Sequence, residues 1–365
     1  MAPRSGDVAK LIHPVVVLGG GIAGAAAALR LTQGNAQPVW IAADRAETFK
    51  PGEHLSASAI PMLKTLGLDS VLQSEVHRHA HSTYSAWGSD TLIERNSIVQ
   101  LEGPPTVLDR GAFEDALALQ AVASGAQRIY RDIVNVRIID GQWHLETTSD
   151  LIKAGFVFDA TGRKAIIASK FSPRFQADKL CCQYALFQSE EFQTPRPVTL
   201  IQAEERGWWY MSVLADARVI LNFYTDADLP RIDPTAFEQS ARATHSISAY
   251  LEDYGYKSCG LPKRITTNSS WIAPTIGAGW AAIGDASAAF DPLSSHGMTT
   301  ALWSAIKATD AFLMQDREKM ESYAESVAKG VQDYLTEKNQ VYCRESRWPR
   351  SPFWARRQTG STKPA

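Results

Sequence analysis

At 365 residues the chain has room for about two domains of ordinary size, and 45% hydrophobic with 21% charged residues describes a folded globular protein. A net charge of −2 offers no electrostatic footprint for nucleic acid or an anionic membrane surface, so neither partner is expected. The uncharged, strongly apolar stretch Val15 to Leu29 is shorter than a membrane span and is interrupted by Gly19, Gly20, Gly21 and Gly24, which argues against both an anchor and a leader.

Val15-Val16-Val17-Leu18 is the continuous apolar run of a buried parallel strand. The alanine-rich Gly24–Leu31 segment favours helix, Gly34-Asn35 ends it, and Pro38 to Ala43 reads as the next strand. Between strand and helix lies Gly19-Gly20-Gly21-Ile22-Ala23-Gly24, a GxGxxG. In that context Gly19 permits the tight turn, Gly21 lets backbone approach a pyrophosphate, and Gly24 lets the helix pack closely on the strand. Asp44, 20 residues after Gly24, falls where a carboxylate bonds a ribose hydroxyl, with Arg45 beside it.

A second helix is predicted over Ser56–Leu66, closed by Gly67, and a third over Asp109–Ala123, which sets Arg110 at a helix start facing the nucleotide. From Arg128 to Phe158 short strands follow, ending in Phe158-Asp159-Ala160-Thr161-Gly162-Arg163, where Asp159 and Gly162 join the cofactor candidates. His77, His79 and His81 alternate as on one strand face and read as solvated residues. Residues 180–225 are strand-like and aromatic; Trp208, Trp209 and Tyr210, with Trp303, are candidates for a substrate pocket. Asp233-Pro234 opens a helix predicted to run to Tyr254. Arg317–Tyr342 is a long polar-faced helix, and Arg344, Arg347, Arg350, Arg356 and Arg357 alternate with aromatics in the tail. That tail suits either docking of an acidic partner or packing on its own domain. Cys181, Cys182, Cys259 and Cys343 lack chelating spacing, so no metal is expected and free thiols in a reducing cytoplasm are.

The choice between FAD and NAD is made near the other end. Ala282-Ile283-Gly284-Asp285 is followed by Pro292 and then by Ser295-His296-Gly297-Met298 at a helix start. A strand, a Gly-Asp pair and a helix suit a flavin: Asp285 bonds a ribityl hydroxyl, and the helix N-terminus faces the pyrimidine end of the ring. The expected fold is α/β: a glutathione-reductase-like, Rossmann-type FAD-binding domain (1–70, 100–175 and 265–320) interleaved with an antiparallel-sheet substrate domain (71–99 and 176–264). A C-terminal helix and Arg/Trp-rich tail (321–365) follow. In this order the motifs match the aromatic-hydroxylase class of flavoproteins.

Longer strings narrow the resemblance. Gly52-Glu53-His54-Leu55 with Pro61-Met62-Leu63 resembles the GESL block of tryptophan-halogenase-like flavoproteins. Ser85-Ala86-Trp87-Gly88-Ser89-Asp90, Gly207-Trp208-Trp209-Tyr210, Tyr224-Thr225-Asp226, Phe290-Asp291-Pro292-Leu293-Ser294-Ser295 and the ending Arg347-Trp348-Pro349 with Pro352-Phe353-Trp354 resemble flavoproteins that mature tryptophylquinone cofactors. What this resemblance implies is FAD-dependent oxygenation of a tryptophan inside the precursor of a tryptophylquinone-bearing oxidase, using O2 and a reductant that no second nucleotide fingerprint identifies. It departs from the halogenases in four places: His54 replaces serine, no lysine occurs between Lys64 and Lys153, the WxWxIP string is absent, and Ser294 stands where their glutamate beside the flavin falls. His296, at the flavin-facing helix start, and Glu53, on motif grounds, are the candidate bases. A small-molecule aromatic hydroxylase on the same scaffold, a halogenase and a non-catalytic flavoprotein are the alternatives.

Overall fold

In the computed structural model residues 12–43, 49–80, 82–96, 103–190 and 195–358 are described. Asp44, Arg45 and His81 lie outside them. Two eight-stranded sheets carry the described architecture.

The first sheet is built on the parallel strands Trp280–Ala282, Leu151–Asp159, Ile12–Leu18, Val39–Ala42 and Gln127–Tyr130, paired in that spatial order. Ile276–Gly277 extends it antiparallel at one edge, and the Gln142–Thr147 and Ile133–Ile139 hairpin pairs with Leu151–Asp159. The Ile22–Gln33 helix packs on it, flanked by the Gly297–Leu313 and Arg110–Ala123 helices. Two glycines make that packing possible. A Cβ on Gly19, whose φ is +121°, would sit 2.0 Å from the Ala160 carbonyl oxygen; one on Gly24 would sit 1.9 Å from that of Gly19. Trp40 fills the space beside them and donates its Nε1–H to Gly19 O at 2.8 Å.

The second sheet runs Lys257–Ser258, Leu180–Gln188, Val219–Asp226, Gly207–Val213, Val198–Glu204, Ser82–Ala86, Ile93–Asn96, with Lys263–Thr266 also paired to Leu180–Gln188, antiparallel except where Val198–Glu204 meets Ser82–Ala86. Its central strands are buried along almost their whole length because both faces are covered. Trp209, Met211 and Val213 face the Phe237–Arg242 and His245–Asp253 helices, whereas Trp208 faces Tyr342, Phe353 and Trp354. Among the described residues no helix is long and apolar enough to cross a membrane.

Two predicted helices differ in detail. The 233–254 helix is broken: Thr244 is extended (φ −85°, ψ 140°), and its hydroxyl donates to Ala241 O at 2.7 Å, so the side chain competes with the helical ladder. The 56–66 helix starts as a 3-10 turn over Ala57–Ala59 under Ser56, and the α-helix begins only at Ile60, since Pro61 is accommodated in a first turn. The tail arginines are engaged within the chain. Arg357 is buried against Asp226 at 2.6 Å, Arg356 reaches Asp226 and Asp228, and Arg347 binds Glu345 and Asp90. The tail is therefore a clasp on the second sheet, and those three arginines are not free for an acidic partner.

Candidate active site

Three parallel strands, Ile12–Leu18, Leu151–Asp159 and Trp280–Ala282, end at one place, and the segments that follow them open a cavity of about 410 Å³. This is the position at which open α/β sheets receive ligands. Gly21 and Ile22 come from the first loop, Ala160, Gly162 and Arg163 from the second, Ile283 and Asp285 from the third. The Phe290–Met298 segment and the Lys50–His54 loop close the sides, and Tyr210, Asn222 and Tyr224 of the second sheet form the far wall.

Two helices begin at this cavity without a side-chain cap. Gly21 is the N-cap of Ile22–Gln33 and His296 that of Gly297–Leu313, so the first-turn N–H groups and the positive ends of two helix dipoles face the same space. A Cβ on Gly21 would meet nothing within 4 Å, which leaves a cradle beside the backbone. Ser295 takes a left-handed φ of +54° just before the second helix.

Charge is distributed unevenly around the cavity. Asp285 leaves 40% of its side chain exposed, and its nearest cation, Arg163, is 3.7 Å away. Burial raises the Asp285 pKa, opposed by Arg163 and Arg110. Arg163 is held by Asn268 and by Phe290 O at 3.3 Å. Arg110 donates to Gly52 O at 2.7 Å and pairs with Glu114 at 2.5 Å, so it ties the 50–54 loop to its helix rather than pointing a free guanidinium into the cavity. Burial works against ionisation of Glu114, but Arg110 and Lys50 outweigh it and hold the carboxyl below its usual range.

Deeper in, Glu53 is 2% exposed; it accepts a 2.6 Å bond from the Tyr210 hydroxyl and a 3.1 Å bond from Gly52 N–H. Burial and the Glu53 carboxyl push the Tyr210 phenol well above its ordinary pKa, so it remains a donor. His54 Nε2 lies 3.0 Å from Ser212 Oγ and 3.1 Å from Thr199 Oγ1. Burial lowers its pKa, only partly opposed by Glu53, so the ring is neutral near pH 7.

Sequence and structure comparisons place this arrangement. Residues 105–365 match the family model described as tryptophan halogenase. The chain belongs to that family. It is 26% identical to the putative FAD-dependent oxidoreductase LodB of Marinomonas mediterranea, over 96% of this chain and 98% of that one. Among solved structures it superposes on QhpG, titled a peptidyl tryptophan dihydroxylase essential for tryptophylquinone cofactor biogenesis (TM-score 0.76, 22% identity, 97% of this chain and 80% of that one). It also superposes on the myxobacterial chondrochloren halogenase CndH (TM-score 0.85, 17% identity, 96% and 87%). The fold is that of the flavin-dependent halogenases, and the protein is an FAD-dependent oxidoreductase.

As a member of this family the chain keeps most of its motif residues around the cavity, but not all. Gly21, Gly162, Asp285, Pro292, Ser295, His296, Gly297, Met298, Glu53, Arg110 and Tyr210 line it. Gly19, Gly24 and Gly284 lie behind it; Gly284 has a φ of +58°, and a Cβ there would press Ala23 at 2.8 Å. Asp159 is withdrawn from it. Its Oδ1 accepts from Thr161 N–H and Oγ1–H at 3.0 and 2.6 Å, and its Oδ2 from Ile167 and Ala168 N–H at 2.8 and 2.9 Å, so it folds the loop instead of facing a ligand. Asp159→Ala leaves these donors buried and unpaired. It is expected to cost about 3 kcal/mol or more, read from the denaturant midpoint.

Of the four pocket aromatics only Tyr210 lines the cavity. Trp208 is fully buried behind Tyr224, Trp209 points to the opposite face, and Trp303 packs on Tyr323. Strand alternation separates Trp209 from its neighbours, a signal present in the sequence. His77 accepts Asp109 N–H at 3.2 Å and so braces a helix start. His54, Asn222, Tyr224 and Asp291 are cavity residues that sequence reasoning did not select. Tyr210 pairs across the sheet with Asn222, and Trp208 with Tyr224, a register that only the fold reveals.

Proposed function

We propose that this protein hydroxylates a tryptophan side chain within a precursor protein, during biogenesis of the cysteine tryptophylquinone of an amino-acid oxidase such as glycine or lysine oxidase. The observation that carries this reading is the end-to-end match to LodB on a halogenase fold that has no lysine between Lys64 and Lys153. The likeness to QhpG, by its title a peptidyl tryptophan dihydroxylase, supports it.

The residues present fit FAD, on three grounds: the open cradle at Gly21, two uncapped helix starts, and a partly exposed Asp285. We assign the pyrophosphate to Gly19, Gly21 and Gly24 with the Ile22–Gln33 helix start, and the adenosine ribose to Asp44 and Arg45. Asp285 and Gly284 serve the ribityl chain, with Gly162 and Arg110 at the loops that border it. Pro292, Ser295, Gly297 and Met298 serve the pyrimidine end. When bound and reduced, the flavin supplies activation of O2 and delivery of an electrophilic oxygen to an electron-rich ring.

The chain's own groups do the rest. Glu53, oriented through both carboxylate oxygens, accepts the proton that leaves the oxygenated ring carbon. Tyr210 fixes that carboxylate and stays protonated, while neutral His54 offers a polar but uncharged wall. His296 is exposed at the rim, so we rank it second as the base.

The test is reconstitution with FAD, a reductant and O2, comparing the precursor polypeptide with free tryptophan. Turnover of the precursor with little of the free amino acid is expected, because remote binding energy is lost with the surrounding chain. Efficient turnover of a free aromatic metabolite instead would establish the small-molecule hydroxylase. With chloride or bromide added, tryptophan is expected to remain unhalogenated; a halogenated product, identified by its isotope pattern, would contradict the reading.

A further inference from the structure

A row of indole and phenol rings leads from the cavity to the surface. Tyr224 lines the cavity and stacks on Trp208, with centroids 4.0 Å apart and planes 18° apart. Trp208 meets Trp87 at 6.1 Å, Trp87 meets Trp354 at 5.3 Å, and Trp354 stacks on the half-buried Trp348 at 6.2 Å. Tyr342 joins from the side: its hydroxyl accepts Trp208 Nε1–H at 3.1 Å and donates at 2.7 Å to Asp291, which also lines the cavity. Arg347 lies over Trp348, 4.2 Å from the ring centre, but is neutralised by Glu345 and Asp90.

Burial alone would be satisfied by phenylalanine or leucine at these places. Every ring of the row is instead one of the side chains that lose an electron most readily, and the chain brings them together from four separated segments. Phe353 touches Trp354 but stands beside the row.

We propose that this row passes single electrons from the surface to the cavity, discharging one-electron oxidants that form beside the flavin when oxygen is activated without substrate. Several short ring-to-ring hops are faster than one long transfer because tunnelling decays exponentially with distance. The cavity oxidant, an oxygen-centred radical such as superoxide, gains one electron and takes protons from water to leave as hydrogen peroxide, and the electron deficit moves along Trp208, Trp87 and Trp354 to Trp348. Tyr342 can share it by handing its phenolic proton to the Asp291 carboxylate, and it recovers that proton when an electron returns. At Trp348 a soluble thiolate donates one electron, and two thiyl radicals so formed couple to a disulfide. The proposal needs FAD in the cavity and is independent of which substrate the cavity receives.

The test uses FAD-loaded protein and a blue-light pulse, which turns oxidised flavin into a strong one-electron oxidant that takes one electron from the row. Transient absorption of the wild type should show a long-lived tryptophan radical. Trp354→Phe should shorten its lifetime at least tenfold, since Trp87 and Tyr342 both lead to Trp348 through Trp354 and the charge then recombines from rings nearer the cavity. Trp354→Tyr, which restores an oxidisable ring, should preserve it, and Trp143→Phe, in another core, should leave it unchanged. Equal lifetimes in the wild type and Trp354→Phe, equal loss in Trp354→Phe and Trp354→Tyr, or no long-lived radical in the wild type would each overturn the proposal.

Discussion

Gly21→Leu is expected to give a folded, soluble protein without flavin colour. A Cβ at Gly21 meets nothing within 4 Å, and its φ of −87° is open to any residue, so the fold tolerates the change. The loss there is a poorer helix N-cap, worth about 1 kcal/mol or less, and the apo melting temperature should fall by only about 2 °C. The added side chain occupies the cradle assigned to the pyrophosphate. FAD affinity should drop at least about 100-fold, equivalent to about 2.7 kcal/mol, as read by flavin titration and visible absorbance. Gly24→Ala provides the contrast. Its Cβ would lie 1.9 Å from the Gly19 carbonyl oxygen, and the expected result is loss of soluble protein. A yellow Gly21→Leu protein with wild-type FAD affinity would move the pyrophosphate elsewhere.

Glu53→Gln should abolish most hydroxylation while leaving FAD in place. The substitution keeps the volume and an acceptor for the Tyr210 hydroxyl but removes the carboxylate proposed as the base. A loss of about 10²–10⁴-fold in kcat is the range for a positioned general base. Tyr210→Phe should cost less, about tenfold, because it removes only the group that orients Glu53 and the Gly52 N–H contact persists. Steady-state turnover together with FAD content checks both variants. Unchanged turnover in Glu53→Gln, with a large loss in His296→Gln, would transfer the base to the helix start.

The parts of this site that were readable from sequence are those fixed by backbone geometry. A glycine turn gains its meaning from the strand before it and the helix after it, and a Gly-Asp pair from its spacing to Pro292 and the helix that follows. The tight turn at Gly19, the open backbone at Gly21 and the place of Asp285 at the cavity are therefore legible in the chain alone. Side-chain direction was not. Asp159 sits beside a motif turn, yet its four acceptor contacts bend back onto Thr161, Ile167 and Ala168. Arg110 likewise belongs to Glu114 and the Gly52 carbonyl. Three consecutive aromatics, Trp208 to Tyr210, looked like one pocket wall. Strand alternation sends Trp209 to the other face, and a cross-strand partner, Tyr224, covers Trp208. Asn222 enters the cavity through cross-strand register with Tyr210, which no local pattern encodes. The tail shows the same limit: Arg347, Arg356 and Arg357 find Asp90, Glu345, Asp226 and Asp228, most of them far away in sequence.

On the proposed function, the oxygen acceptor is a tryptophan inside another polypeptide. The most direct measurement expresses the precursor of a tryptophylquinone-bearing oxidase under ¹⁸O2, with and without this protein, and compares tryptic peptide masses. Labelled oxygen is expected on one tryptophan-containing peptide only when the flavoprotein is present, and is expected to be lost with the Glu53→Gln variant. A precursor of unchanged mass in the presence of active, FAD-loaded protein would contradict it.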